Sequence, residues 1–242
     1  MSNNEESLIS HIQELRKTLL KCIIAMLIVV LPVFMIVPDF LDFFISSILK
    51  DTEVVLNYFS PAEVLVVQIK TAFVLGFIIC FPYILKQLWN FILPALYDDE
   101  RKIIKSAIFY SSILFVLGLL FCFYFIIPFV IKFGISFATG NINAVFGITN
   151  VLNLSLWLML AFGIMFQLPL LVYFLIKSGV VTVENVSDKR PYVIVAILII
   201  AAILTPPDVV SQLMLFTPTY LLFELGLLYS KYRLKKIKKD DL

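Results

Sequence analysis

The side chains best suited to recognition chemistry lie in two short acidic stretches. Glu14 sits in His11-Ile12-Gln13-Glu14-Leu15-Arg16-Lys17, and Asp98-Asp99-Glu100 runs directly into Arg101. Carboxylates placed this way suit a partner carrying paired arginines, because guanidinium and carboxylate form forked, charge-assisted hydrogen bonds that a lysine ammonium does not reproduce. A plainer role is open to each. Glu14 has Lys17 three residues on, the spacing of a surface helix pair worth roughly 0.2–0.5 kcal/mol. The three acids before Arg101 could simply face the positive end of a following helix dipole.

Three further polar residues interrupt long apolar stretches: Lys70, Gln167 and Glu224. Each is either a functional group or a satisfied structural one. Lys70 can snorkel to the nearer interface, Gln167 can make an interhelical hydrogen bond worth about 0.6 kcal/mol, and Glu224 can be solvated or pair with Lys231 or Arg233. No linked chain of carboxylates or histidines suggests a proton relay. The single histidine, His11, and the three scattered cysteines, Cys22, Cys80 and Cys122, cannot assemble a metal site of ordinary ligand spacing. No nucleotide-binding G-x-x-x-x-G-K-[ST] stretch occurs. No cofactor is expected, the chain does not read as an enzyme, and nucleic acid has no support beyond a short basic tail.

The elements that must hold these residues are membrane helices. Of 242 residues 61% are hydrophobic and 15% charged, far from the roughly 45–50% and 25% of soluble domains. At about 20 residues per span, this length suggests six helices and no soluble domain. The apolar blocks place spans near 20–38, 62–86, 104–127, 151–176, 191–205 and 209–229, followed by a basic tail at 230–242. The expected fold is all-α, a polytopic integral membrane protein with a single six-helix transmembrane domain over 1–242. Pro61 and Glu63 suit the first turn of span two. Pro206-Pro207-Asp208 ends span five, forces Thr205 out of the helical region and lets Asp208 cap span six. Spans five and six therefore form a tight hairpin of short helices.

Basic residues set the orientation. Arg16, Lys17 and Lys21 precede span one; Lys86, Arg101, Lys102 and Lys105 follow span two; Lys177, Lys189 and Arg190 follow span four; and six more, from Lys231 to Lys239, follow span six. The opposite side holds only Lys50 and Lys132. The positive-inside rule puts both termini in the cytoplasm. The segments 39–60 and 129–148, rich in phenylalanine, resemble interfacial helices lying on the membrane, or are plain loops. Helical spacing of Leu8, Ile12, Leu15 and Leu19 makes an amphipathic lead into span one.

From about Ser10 to Tyr232 the chain resembles the TatC family, the multispanning receptor subunits of the twin-arginine protein translocase. The resemblance rests on the stretch around Glu14, on Gln87-Leu88-Trp89-Asn90-Phe91-Ile92-Leu93-Pro94-Ala95-Leu96-Tyr97 with Glu100-Arg101, on Ala161-Phe162-Gly163, on Lys189-Arg190-Pro191-Tyr192 and on Leu204-Thr205-Pro206-Pro207-Asp208. It implies a receptor in the bacterial cytoplasmic (inner) membrane that binds twin-arginine signal peptides of folded precursors. It also implies homo- and hetero-oligomers with single-span subunits of the TatA and TatB type, and export driven by the proton-motive force. Glu14 and Glu100 would take the arginine pair. Phe91, Leu96 and Tyr97 would line or support that surface, and Arg16, Lys17 and Arg101 would shape it. Thr205 and Gln212, with Gln167, match partner-helix contacts; Pro94, Pro206, Pro207 and Asp208 match structural positions. Two positions depart from the pattern: Gln167 replaces a glutamate common in relatives, and Ile48 replaces a proline that some carry. The competing reading is a secondary transporter or channel for a small solute, resting on Lys70 and Gln167 alone. An intramembrane enzyme finds no nucleophile–base pair or facing carboxylates.

Overall fold

The computed structural model describes residues 2–50, 52, 55–92, 101–136, 145–177, 179–205 and 209–240; side chains are described for all of these except 2–11, 92, 101–105, 211 and 233–240. The described chain is mostly helical. Five helical stretches are long and apolar enough to cross a membrane: Ile12–Ile48, Pro61–Phe91, Ser106–Ser136, Ile148–Lys177 and Gln212–Tyr232, with the shorter apolar helix Arg190–Leu204 beside them. Pro94, Leu96, Tyr97, Glu100, Pro206, Pro207 and Asp208 lie outside the described residues. The chain separates into two compact units.

The first unit comprises the chain up to Lys50, Val55–Ser112 and Phe146–Asn153. Helix α1 (Ser2–Ile48) and helix α2 (Pro61–Ile92) pack along each other. Ala25 meets Cys80, whose thiol donates to its carbonyl at 3.6 Å, and Val30 meets Gly76, so the two run antiparallel. Helix α1 runs longer than the sequence reading, which stopped span one near residue 38 and read 39–60 as an interfacial helix or a plain loop. It continues unbroken through Pro32, Pro38 and Asp39 to Ile48. The reason is a single buried stripe, Val30, Val33, Val37, Leu41, Phe44 and Ile48, whose spacing of three and four keeps one apolar face in register past the two prolines. Asp39 and Asp42 ride on the exposed side. Helix α2 begins as expected at Pro61: the Glu63 carboxylate reaches back to accept the Phe59 N–H at 2.8 Å, and the Glu63 N–H donates to the Ser60 carbonyl, satisfying donors that a helix start leaves open.

Strands β1 (Leu56–Asn57) and β2 (Phe146–Gly147) pair in parallel, Leu56 against Phe146. They are a small exception to the all-helical expectation. Gly147 allows a close approach there, since a Cβ would stand 3.0 Å from the Phe59 ring.

The second unit holds Ile113–Val145 and Leu154–Leu242 among its segments. Helix α3 (Arg101–Phe121) passes through a π turn (Cys122–Ile126) into helix α4 (Ile127–Ser136). The Ile127 N–H reaches back to the Cys122 carbonyl, and Pro128 follows with no N–H and a ring that crowds the preceding turn; the wider turn relieves that clash. The helix runs on to Ser136, so residues 129–136 extend this span instead of starting a separate interfacial helix. Gly118 and Gly163 mark a close approach of α3 to helix α5 (Ile148–Met165): a Cβ on Gly118 would lie 2.7 Å from the Phe162 carbonyl oxygen.

The span expected at 151–176 is broken into α5 and helix α6 (Leu168–Lys177), with Phe166 and Gln167 between them. Pro169 accounts for the break. A short helix α7 (Val183–Asp188), capped by the Thr182 hydroxyl accepting from the Asn185 N–H, lies in the connection between α6 and the next helix. Helices α8 (Arg190–Leu204) and α9 (Val209–Asp240) form the hairpin. Thr205 is extended (φ −103°, ψ 158°), as Pro206 dictates. Helix α9 continues past residue 229 into the basic tail. Val172, Ile176, Val183, Ile197, Phe223 and Leu227 form the core joining α6 to α9.

Candidate functional site

Where α1 begins its long run and α2 ends, the antiparallel pair opens into a groove of about 480 Å³. From α1 it is lined by Gln13, Glu14, Lys17, Thr18 and Lys21, and from α2 by Gln87, Asn90 and Phe91. The α1 residues fall at i, i+1, i+4, i+5 and i+8, one stripe of a helix, and Gln87, Asn90 and Phe91 at i, i+3 and i+4. One carboxylate, two ammonium groups, three carboxamides, a hydroxyl and one aromatic ring therefore share a concave surface at the polar ends of two apolar helices. Such a surface can hold a peptide that carries a cation and needs its backbone hydrogen-bonded.

Of the residues singled out from the sequence, the structure brings Glu14, Lys17 and Phe91 together here. Arg16 is exposed on α1 outside the groove lining, and Arg101 opens α3 with only its backbone described. Gln13, Thr18, Lys21, Gln87 and Asn90 were not assigned to the site from the sequence. The α1 members were within reach of a helical-stripe count; those on α2 needed the register between the helices.

A second polar constellation holds the hairpin. Thr205 is buried, and its hydroxyl and N–H both donate to the Ala201 carbonyl at 2.9 Å. The Gln212 amide of α9 donates to the Leu198 carbonyl of α8 at 3.1 Å. Both residues matched partner-helix contacts, and both make hydrogen bonds within the hairpin itself.

Glu224, expected to be solvated or to pair with Lys231 or Arg233, is held by Arg190: Nε lies 2.8 Å from Oε1, Nη2 donates to Oε2 at 2.9 Å, and the Tyr220 hydroxyl donates to Oε1 at 2.9 Å. The pair ties the first turn of α8 to α9. Its side chains are 40% and 22% exposed, so solvent screening keeps the gain small. A double-mutant cycle of Arg190→Ala and Glu224→Ala, read by unfolding in denaturing detergent, is expected to give a coupling of about 0.5–1 kcal/mol; strictly additive losses would show that the contact contributes nothing.

Lys70, left open between snorkelling and a solute site, donates to the Asn153 side-chain oxygen at 3.2 Å.

At the α5–α6 break the Gln167 N–H turns to the Ile164 carbonyl at 3.0 Å. That leaves the Gly163 carbonyl without the donor a regular helix would supply from residue 167. The Gln167 side-chain amide takes that place, donating to Gly163 at 3.3 Å. The same residue's carbonyl then receives the N–H groups of Leu170 and Leu171 at 3.1 and 3.0 Å, starting α6. Gln167 thus repairs the ladder that Pro169 interrupts, where an orphaned carbonyl in lipid would be costly.

The family described as Sec-independent protein translocase protein (TatC) matches residues 10–218. The chain belongs to the TatC family. The TatC protein of Haemophilus influenzae is 37% identical over 243 residues, covering 96% of this chain and 92% of that relative. TatCy of Bacillus subtilis is 38% identical over 246 residues, covering 100% and 95%. A crystal structure of the twin-arginine translocase receptor TatC in DDM superposes with a TM-score of 0.83 at 35% identity, covering 91% of this chain and 99% of that one. The chain is accordingly a TatC protein-translocase component of the twin-arginine pathway, a multi-pass membrane protein of protein transport. Within this TatC chain, the α1–α2 groove gathers Glu14, Lys17 and Phe91 of the residues that the family resemblance had marked for recognition.

Proposed function

We propose that this chain is the receptor and core subunit of a twin-arginine translocase, taking the twin-arginine signal peptide of a folded precursor at its cytoplasmic face. The observation that carries this reading is the α1–α2 groove, where the Glu14 carboxylate stands among amide donors and the Phe91 ring at the polar ends of two apolar helices. Glu14 acts with Glu100 on the arginine pair. Phe91, Leu96 and Tyr97 support the surface, Arg16, Lys17 and Arg101 shape it, and Pro94 shapes the loop that carries Glu100. In this reading the whole chain is one six-span domain, with α8 as the short fifth span. Pro206, Pro207 and Asp208 turn it into the sixth. The one-sided distribution of lysine and arginine puts both termini in the cytoplasm of a bacterial cell. Thr205, Gln212 and Gln167 lie where single-span partners of the TatA and TatB type dock, and the proton-motive force drives export.

Co-purification from native membrane with a twin-arginine precursor present tests both halves of this reading. The complex is expected to contain the precursor and small single-span proteins. Recovery of neither would overturn the proposal. In the same experiment Gln167→Leu is expected to reduce both partner recovery and export, since the break in span four loses its repair; unchanged recovery and export would remove Gln167 from the partner surface.

A further inference from the structure

We infer that the inner end of the α1–α2 groove is a binding site for the phosphate of an anionic phospholipid headgroup. The groove is electrically divided along α1. Glu14 stands at its outer end, while Lys17 and Lys21 follow one and two turns on; from Glu14 to Lys21 the helix rises about 10 Å. The two lysines are four residues apart, so their stems leave the same face of α1 about 6 Å from one another, a spacing at which both ammonium groups can reach one phosphate. Opposite them, Gln87 and Asn90 present carboxamide donors from α2, and Thr18 adds a hydroxyl. Among the described residues, neither lysine is held by a carboxylate and neither carboxamide by a hydrogen bond. With respect to the described residues, Lys17, Lys21, Gln87 and Asn90 are therefore open to an anion.

Depth selects a lipid over a dissolved ion. Lys21 is the last charge before the apolar run that starts at Cys22, which is headgroup level for a spanning helix. The face bearing Lys17 and Lys21 continues at helical spacing into Ile24, Ile28, Leu31 and Met35, all exposed. A phosphate seated on the lysines would direct its acyl chains along that track. Basic pockets between spans on the positively charged side of a membrane protein are a recurrent place for such headgroups. The volume, about 480 Å³, also falls in the roughly 300–1,000 Å³ range of small-ligand sites.

The test uses the full chain in phosphatidylcholine nanodiscs containing spin-labelled phosphatidylglycerol. At about 1 kcal/mol per basic residue, two lysines are expected to favour the anionic label over a phosphatidylcholine label by about 30-fold. Lys17→Gln with Lys21→Gln is expected to erase that preference, and Lys17→Arg with Lys21→Arg to keep it. No preference in the unmodified chain, or the same preference in the glutamine variant, overturns the site. Titration with inorganic phosphate separates the two sources: release of the label by phosphate that binds with the same lysine dependence would make the ligand a free anion and overturn the lipid assignment. Should the double glutamine variant not insert, Asn90→Leu removes a donor and no charge. A several-fold drop in preference there supports the site, and an unchanged preference overturns it.

Discussion

Glu14→Gln is expected to abolish site-specific crosslinking between this chain and a twin-arginine precursor while the protein remains in the membrane. The substitution keeps the size of the side chain and its place in the groove, and removes only the charge and one acceptor geometry. A charged hydrogen bond contributes about 1.5–3 kcal/mol, which is roughly a 10- to 150-fold loss of affinity. Because a glutamine amide would also present an N–H toward a guanidinium, the loss should fall at the upper end. Glu100→Gln is expected to behave alike, and the double variant to be no better than either. Lysine in place of either arginine of the precursor should weaken crosslinking to the unmodified chain, since an ammonium offers no planar fork. Undiminished crosslinking in both glutamate variants would sink the assignment of the groove.

Gly226→Ala is expected to cost about 1–3 kcal/mol of stability, the usual cost of overpacking, through one methyl group. An added Cβ would lie 2.6 Å from the Pro169 Cα and 2.9 Å from its carbonyl oxygen. Both obstacles are backbone, and Pro169 is fixed in the first turn of α6, so neither can rotate aside. Helix α9 must move away from α6, and the contacts that Phe223 and Leu227 make in the core loosen with it. Gly76→Ala makes a useful contrast. Its Cβ would meet Val30 Cγ2 at 2.6 Å, a single side-chain methyl and not backbone, so a smaller loss is expected. Thermal unfolding of both variants in one detergent, followed by loss of the monodisperse species, compares them. Equal midpoints for Gly226→Ala and the unmodified chain would show that α6 and α9 are not closely packed in the membrane.

The helices themselves were legible because lipid demands long apolar runs, and the charges between runs marked their ends. What escaped was local. Proline at 128 and at 169 signals a disturbance, but the disturbance falls in the turn before each, and whether it becomes a π turn or a break depends on which carbonyl finds a new donor. The extension of α1 past Asp39 was hidden because two aspartates and a proline look like a terminus, whereas the buried stripe through Leu41, Phe44 and Ile48 overrides them. At the site, the α1 wall was within reach of helical spacing, although only Glu14 and Lys17 of it were read. The α2 wall was not, since Gln87 and Asn90 face Lys17 and Thr18 only in the register that Gly76 permits by letting Val30 approach. The Arg190–Glu224 pair is separated by 34 residues, so reasoning from sequence neighbours did not reach Arg190.

The donor that Gln167 lends to the Gly163 carbonyl has a bearing on how span four responds to its surroundings. An acid at that position could give a proton to a carbonyl only in its neutral form, so the repair of the ladder would come and go with protonation. A carboxamide donates at every pH. In this chain the side-chain donor at the break between α5 and α6 is therefore available whatever the pH on either side.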